Sequence, residues 1–200
     1  MKNIIYLLSL IFLFVACGSP DGDGANTIDG VTDDEHRIFV SSGSYTGNMG
    51  GVDAADANCQ SLAESAGLSR TYKAILSTSS SNATDSDRIS LVGAIYIINQ
   101  NGDKTLIAAS REDFWGTTNS IELIENVDVD EQLAQVSGAR VWTGTGSDGA
   151  TVPAEHCNGW TSTAGTGFYG LTNQANSEWI ESNSDNCSNT NRIYCISQQE

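Results

Sequence analysis

The chain has 200 residues, with 25 acidic side chains against nine basic ones and a formal net charge of −16. This negative charge argues against nucleic-acid binding and against electrostatic attraction to anionic lipid headgroups. The length predicts one domain of about 150 residues preceded by a leader and a linker.

The first 16 residues are predicted to be a signal peptide. Lys2 gives a positive start, and Ile4–Ala16 is apolar apart from Ser9, which is too short for a membrane-spanning helix of about 20 residues. The segment ends in Phe-Val-Ala-Cys at 14–17, which resembles a bacterial lipobox. The resemblance implies that Cys17 is acylated and holds the protein in a lipid bilayer. An ordinary cleaved secretory peptide is the alternative.

A lipid anchor places the protein outside the cytoplasm, attached to the bacterial envelope. Gly18 follows Cys17 where an aspartate would retain a lipoprotein in the inner membrane, so resemblance to lipoprotein sorting implies the outer membrane or cell surface. Residues 17–36 are predicted to be a lipidated flexible tether, because the Asp-Gly-Asp-Gly run at 21–24 has nothing to pack. That run lacks the later glutamate of a calcium loop.

Four cysteines remain after Cys17, an even number that predicts disulfides in an oxidising compartment. They are Cys59, Cys157, Cys187 and Cys195. Four cysteines allow three pairings, and their spacing alone does not choose among them.

The first half of the domain is predicted to alternate strands with one clear helix. The helix covers 53–66, with Asp53 as its cap, Cys59 on its apolar face and Gly67 as its stop. Strands are predicted at 37–42, 72–77, 91–98 and 105–109, the last two joined by an Asn-Gly turn at 99–103.

The second half is predicted to contain a core strand at 141–145, a long polar loop region, and a closing strand at 192–196 on the edge of the sheet. Phe114 and Trp115 are predicted to form a satellite cluster beside the main core.

Asn126, Asp128 and Asp130 alternate and form a candidate metal site, because three oxygens on one side of a strand suit Ca²⁺. The EF-hand pattern fails there, and a solvated acidic edge is the other interpretation. No cofactor is predicted, with calcium left open. Trp160, Phe168 and Tyr169 are candidates for stacking on a ligand, with core packing as the alternative.

Catalysis is not predicted. The histidines are His36, beside the tether, and His156, which with Glu155 forms a conceivable local acid–base pair on a surface loop. Zinc is disfavoured because disulfides account for the cysteines. A hydrolase therefore stays a minor alternative.

Several short motifs, in this order, resemble a bacterial domain of unknown function that is common in secreted proteins and surface lipoproteins. They are Arg-Ile-Phe-Val-Ser-Ser at 37–42, Tyr-Thr-Gly-Asn-Met-Gly-Gly at 45–51, Ala-Asp-Ala-Asn-Cys-Gln at 55–60, Tyr-Lys-Ala-Ile-Leu-Ser at 72–77 and Val-Trp-Thr-Gly-Thr at 141–145. A helix cysteine, a mid-domain cysteine and a final Cys-x7-Cys further resemble the C-type-lectin-like and endostatin-like folds.

The resemblance covers Arg37 to Ser197, and the domain is placed at 37–200. It implies an α+β domain of antiparallel strands, one or two helices, long loops and two nested disulfides. The implied pairs are Cys59–Cys195 and Cys157–Cys187.

Sugar binding through calcium does not follow from this resemblance. The long loop lacks a Glu-Pro-Asn or Gln-Pro-Asp triplet around Pro153, and Trp179 is followed by Ile180 and Glu181 instead of Asn-Asp. The expected function is a surface-anchored binding module, such as an adhesin for host or matrix protein or for glycan. A structural envelope lipoprotein without a small ligand is the alternative.

Overall fold

A computed structural model of the chain describes residues 29–116 and 122–199. The predicted signal peptide 1–16 and Cys17 lie outside these residues. The described part is an α+β domain built on one mixed sheet, with few helices and two disulfides. Within it, no helix combines the length and the apolar character needed to cross a membrane.

Eight strands form the sheet in the spatial order β4-β3-β1-β8-β5-β6-β7, with β2 also paired to β8. The strands are β1 His36–Val40, β2 Tyr72–Ala74, β3 Ile95–Ile98, β4 Lys104–Ala108, β5 Arg140–Trp142, β6 Thr166–Leu171, β7 Asn183–Asn186 and β8 Arg192–Ser197. The helices are α1 Val52–Ser65 and α2 Arg111–Trp115, with a 3-10 turn at Ser177–Trp179 and a four-residue turn at Cys157–Trp160.

The closing strand lies at the centre of the sheet, so its predicted edge position is wrong. Strand β8 pairs antiparallel with β1 and β2 and parallel with β5. Side chains of β1 and β8 alternate between two buried clusters, as the two-residue period of a strand requires. Ile38, Tyr194 and Ile196 lie in one cluster, and Phe39, Ile193 and Cys195 lie in the other. Both faces of the central strands are therefore covered.

Two disulfides hold helix α1 and the long loops to this sheet. Cys59 on α1 bonds Cys195 on β8, and Cys157 bonds Cys187. These are the two pairs that the resemblance implies. The chain-entropy model assigns about 5 kcal/mol to closing the 136-residue separation and about 3.5 kcal/mol to the 30-residue one.

Helix α1 agrees with the predicted span to within one residue at each end. Gly67 follows it at φ 75°, and the N–H of Leu68 donates to the Ala63 carbonyl, as expected of a glycine stop. The predicted cap is wrong: Gly51 occupies the N-cap, and Asp53 lies in the first turn.

The Asn-Gly hairpin joining β3 and β4 is confirmed, since Asn99 and Asp103 bond across it. The preceding strand is shorter than predicted, because only Ile95–Ile98 pairs while Val92 is 60% exposed. Phe114 and Trp115 belong to the main core rather than to a satellite cluster, with the Phe114 ring 5.0 Å from that of Trp179.

The folded domain begins before residue 37, inside the predicted tether of residues 17–36. Val31 is fully buried, and the carboxylate of Asp29 accepts hydrogen bonds from the N–H groups of Ser69 and Arg70 and from the hydroxyl of Tyr72. A single aspartate thus joins the incoming chain to the segment just after α1.

His36 fixes the start of β1 to the end of β8 from a fully buried position. The Val92 N–H donates to its Nε2, so Nδ1 carries the proton and donates to the Ser197 carbonyl at 2.7 Å. Burial lowers the pKa of this imidazole below its ordinary value, and nearby Arg70 acts in the same direction, while the bond to Ser197 opposes them.

We expect His36 to make stability fall as the pH drops below about 6.5, the ordinary pKa of an unfolded histidine. Below that pH the unfolded chain binds a proton at this histidine that the folded chain does not bind. The free energy of unfolding therefore falls by up to about 1.4 kcal/mol per pH unit. Denaturant unfolding between pH 7.5 and 5.5 should show this slope, and His36→Gln should flatten it.

Glu35→Gln is the matched control. Burial raises the pKa of Glu35, but hydrogen bonds from Lys104 and Thr32 outweigh it and hold the pKa at about 2. The stabilisation that the Glu35 carboxylate provides is therefore lost only as the pH falls below the ordinary glutamate range. The slope of the free energy of unfolding near pH 6.5 should be unchanged by this substitution. If the slope is unchanged in His36→Gln, the pH dependence of stability does not come from His36.

Candidate functional site

A polar cleft of about 430 Å³ opens at the beginning of helix α1. Its wall is formed by the residues around Gly51, by the serine-rich turn 78–81, by Arg88 and by the turn that follows His156. Its volume is in the range of small-molecule sites, and most of its lining side chains are polar.

The start of α1 presents backbone donors to this cleft. Gly50 and Gly51 have φ values of 91° and 97°, and Gly51 as the N-cap makes no side-chain capping bond. Within the described residues, the N–H groups of Val52, Asp53 and Ala54 have no hydrogen-bond acceptor. These groups carry the partial positive charge of the helix dipole.

The turn Cys157–Trp160 is left-handed along its whole length. The φ values of Cys157, Asn158, Gly159 and Trp160 are 50°, 54°, 67° and 64°. A left-handed conformation costs about 1–2 kcal/mol for each residue other than glycine. The contacts that hold it include the disulfide to Cys187, the hydrogen bond from the Trp160 N–H to the His156 carbonyl, and the hydrogen bond from the Gly159 N–H to His156 Nδ1 at 2.9 Å.

The hydrogen bond to Nδ1 determines the tautomer of His156. A backbone N–H only donates, so Nδ1 carries the lone pair and the neutral ring carries its proton on Nε2. The side chain lines the cleft and the residue is 9% exposed. Nε2 has no hydrogen-bond partner among residues 29–116 and 122–199, and it is not one of the fully enclosed orphan atoms.

Hydroxyl-bearing residues of the turn 78–81 form another part of the lining. Thr78 and Ser81 close the turn through a backbone bond of 2.8 Å, and the Thr151 hydroxyl donates to the Thr78 carbonyl. Ser79 and Ser80 are exposed at its tip.

Arg88, on the cleft lining, belongs to a partly buried ion pair. Its guanidinium donates to both carboxylate oxygens of Asp56 at 2.8 and 2.7 Å and to the Ala74 carbonyl at 2.6 Å. Asp56 also accepts from the Ala74 N–H. The pair fastens α1 to β2, and the charge of Arg88 is neutralised locally.

Trp160 is fully buried, so it is not available as a ligand-stacking platform as the sequence suggested. Its indole N–H donates to the Ser77 carbonyl at 2.9 Å, and its ring lies 6.0 Å from that of Trp142. The alternative interpretation, core packing, describes it.

Tyr169 and Phe168 lie next to each other on β6 and are not on the cleft lining, although the Phe168 N–H donates to the Glu155 carbonyl beside His156. The Tyr169 ring is 7% exposed and is covered by the Arg140 guanidinium at 4.8 Å, so it too is mostly packed. Phe168 is half-buried and keeps an accessible surface.

The structure gives Asp128 and Asp130 separate hydrogen-bond donors from the protein. Asp130 is buried and its Oδ1 accepts the N–H groups of Gln132 and Ala134, while Asp128 accepts from the Gln135 amide. Asn126 is half-buried. No cluster of three or more His, Cys, Asp or Glu side chains suited to a metal ion occurs in the described part of the chain.

His156 and Glu155 form no hydrogen bond to each other within the described residues. The Nδ1 atom of His156 instead accepts the hydrogen bond from the Gly159 N–H. Glu155 has an enclosed Oε2 without a partner. The conceivable acid–base pair is therefore not assembled. His36 is committed to the β1–β8 contact.

Sequence reasoning missed the cleft itself. Its signals were Gly50-Gly51 directly before a helix and the Thr-Ser-Ser-Ser run at 78–81, which were interpreted only as loops. What brings them together is the pairing of β2 with β8, a long-range contact that neither signal contains.

Comparison with known families gives a match at residues 42–178 to the family described as protein of unknown function (DUF1554). This span is more than half of the chain and contains α1, the serine-rich turn and the left-handed turn. The protein belongs to the DUF1554 family. Comparison with curated proteins gives no match.

The His156 side chain is expected to stabilise the left-handed turn through Nδ1. His156→Ala should lower the free energy of unfolding by about 1–2 kcal/mol, because the Gly159 N–H loses its acceptor. His156→Asn should recover most of this loss, since its short side chain supplies an oxygen at the same position. Equal losses in the two variants, measured by denaturant unfolding, would show that the bond contributes nothing.

Proposed function

We propose that this protein is a bacterial surface lipoprotein whose DUF1554 domain has a C-type-lectin-like fold and acts as a binding module, an adhesin for host or matrix protein or for glycan. The fold part of the proposal is supported by the central pairing of β1 with β8 and by the nested disulfides Cys59–Cys195 and Cys157–Cys187. The anchor part is supported by the lipobox-like segment ending at Cys17.

One observation carries the functional part: the incoming chain and the cleft are at opposite ends of α1. Asp29 binds Ser69 and Arg70, just after the helix ends, whereas the cleft lies around Gly51, where it begins. A helix of 14 residues is about 21 Å long. A domain tethered at one end keeps the cleft at its other end clear of the point of attachment.

The proposed binding does not use the calcium site of familiar lectins. Glu181, in the Trp-Ile-Glu sequence that replaces the usual triplet, accepts a hydrogen bond from the Ser147 N–H, and Pro153 lies between Val152 and Ala154 without an adjacent carboxylate or amide. We therefore propose no metal or cofactor and no catalytic role.

An array of glycans and matrix proteins tests this proposal with the full chain in detergent, in calcium and in EDTA. We expect at least one specific ligand, bound equally in both conditions. Binding lost in EDTA would contradict the calcium-independent mode. No binding in either condition would overturn the adhesin proposal and favour a structural envelope protein.

A further inference from the structure

We propose that the cleft at the start of α1 is a binding site for a sugar residue bearing a single carboxylate, such as a uronate or a sialic acid. This inference deepens the proposed binding function and rests on it. The ligand class follows from the hydrogen-bonding groups on the lining of the cleft.

The cleft holds an excess of uncommitted donors. Among the residues that the structure describes, the N–H groups of Val52 and Asp53 on the lining lack acceptors, and the tautomer of His156, which is also on the lining, leaves its Nε2–H without a partner. Three donors on one lining favour an anionic oxygen as ligand, because a carboxylate at a helix N-terminus accepts hydrogen bonds and is attracted by the helix dipole.

The His156 side chain is the second feature, beside the helix end, that supports a binding site here. More than nine-tenths of this residue is buried, and its Nδ1 fixes the ring orientation through Gly159. The unpartnered Nε2–H is therefore preorganised, so a ligand oxygen receives its hydrogen bond without ordering a mobile side chain.

The serine-rich wall selects a sugar among carboxylate ligands. Ser79 and Ser80 present exposed hydroxyls, which donate and accept, beside the donor-rich helix start. Among the described residues that form the lining, Val52 is the only large apolar side chain, so they offer no apolar pockets for successive peptide side chains. A sugar ring suits both parts of the lining, because its hydroxyls bind the serine-rich turn and its single carboxylate binds the donors at the helix start.

Charge limits the ligand to one carboxylate. The chain carries a net charge of −16, Asp53 is exposed on the rim, and Arg88 is neutralised by Asp56. Repulsion by the negative chain grows with each charge on the ligand, so it opposes a polyanion more than a single carboxylate that short-range donors hold.

Titration of the full chain in detergent, followed by protein NMR, tests the proposal with glucuronate and N-acetylneuraminate. The controls are glucose, the methyl ester of glucuronate, and a Gly-Gly peptide with a free or an amidated carboxyl end. The acidic sugars should bind at least about tenfold more tightly than glucose or the ester, because charge-assisted bonds to the carboxylate are lost in both. Resonances around Gly51 and His156 should shift.

Variants locate the binding. Ser79→Glu adds a negative charge to the wall and should weaken acidic-sugar binding about tenfold, whereas Ser86→Glu, exposed on the same segment but outside the cleft, should leave it unchanged. His156→Asn keeps the acceptor for Gly159 but removes the Nε2–H, and should weaken binding about tenfold.

Equal affinity for the acid and its ester, or equal effects of the two glutamate variants, would overturn the inference. Tighter binding of the free peptide than of the acidic sugars would replace the sugar by a peptide carboxyl end. If the array finds a ligand that neither acidic sugar displaces, the binding function stands and this inference fails. If neither experiment shows binding, both fail.

Discussion

The pairing of β8 at the centre of the sheet is the constraint on which the rest of the structure depends. This last strand bonds β1, β2 and β5, and through Cys195 it holds helix α1. Because β8 is contributed by the end of the chain, the sheet is completed only when both ends of the domain come together. Contacts of such long sequence separation carry a high loop-closure cost, which the Cys59–Cys195 bond reduces in the unfolded chain.

The cleft is a consequence of this arrangement. The disulfide and the Arg88–Asp56 pair hold α1 against β2 and β8, so the uncapped start of the helix is fixed in place. The Cys157–Cys187 bond holds a left-handed turn that no local propensity favours, and this turn sets the His156 ring beside the helix start. Both disulfides therefore position binding groups in addition to stabilising the domain, and together they preorganise donors for a ligand.

Local patterns in the sequence predicted the local structure well. The spacing of Cys59 on an apolar face and the stop at Gly67 gave helix α1, and Asn101-Gly102 gave the hairpin. The central position of β8 was not predictable, because a strand buried on both faces shows no alternation that separates the middle of a sheet from its edge. The left-handed turn was not predictable for another reason. Only one of its four residues is glycine, and a disulfide and a histidine impose the conformation. Trp160 was a ligand candidate because an aromatic residue looks the same in sequence whether it packs or binds.

The most direct test of this account is peptide mapping of the disulfides under non-reducing conditions. The central claim is that α1 is joined to the closing strand while the left-handed turn is joined to the segment after β7. The account predicts one linked peptide pair containing Cys59 and Cys195, and a second containing Cys157 and Cys187. A bridge from Cys59 to Cys157 or to Cys187 would contradict it, because α1 would then be tied to the loop region instead of to the centre of the sheet.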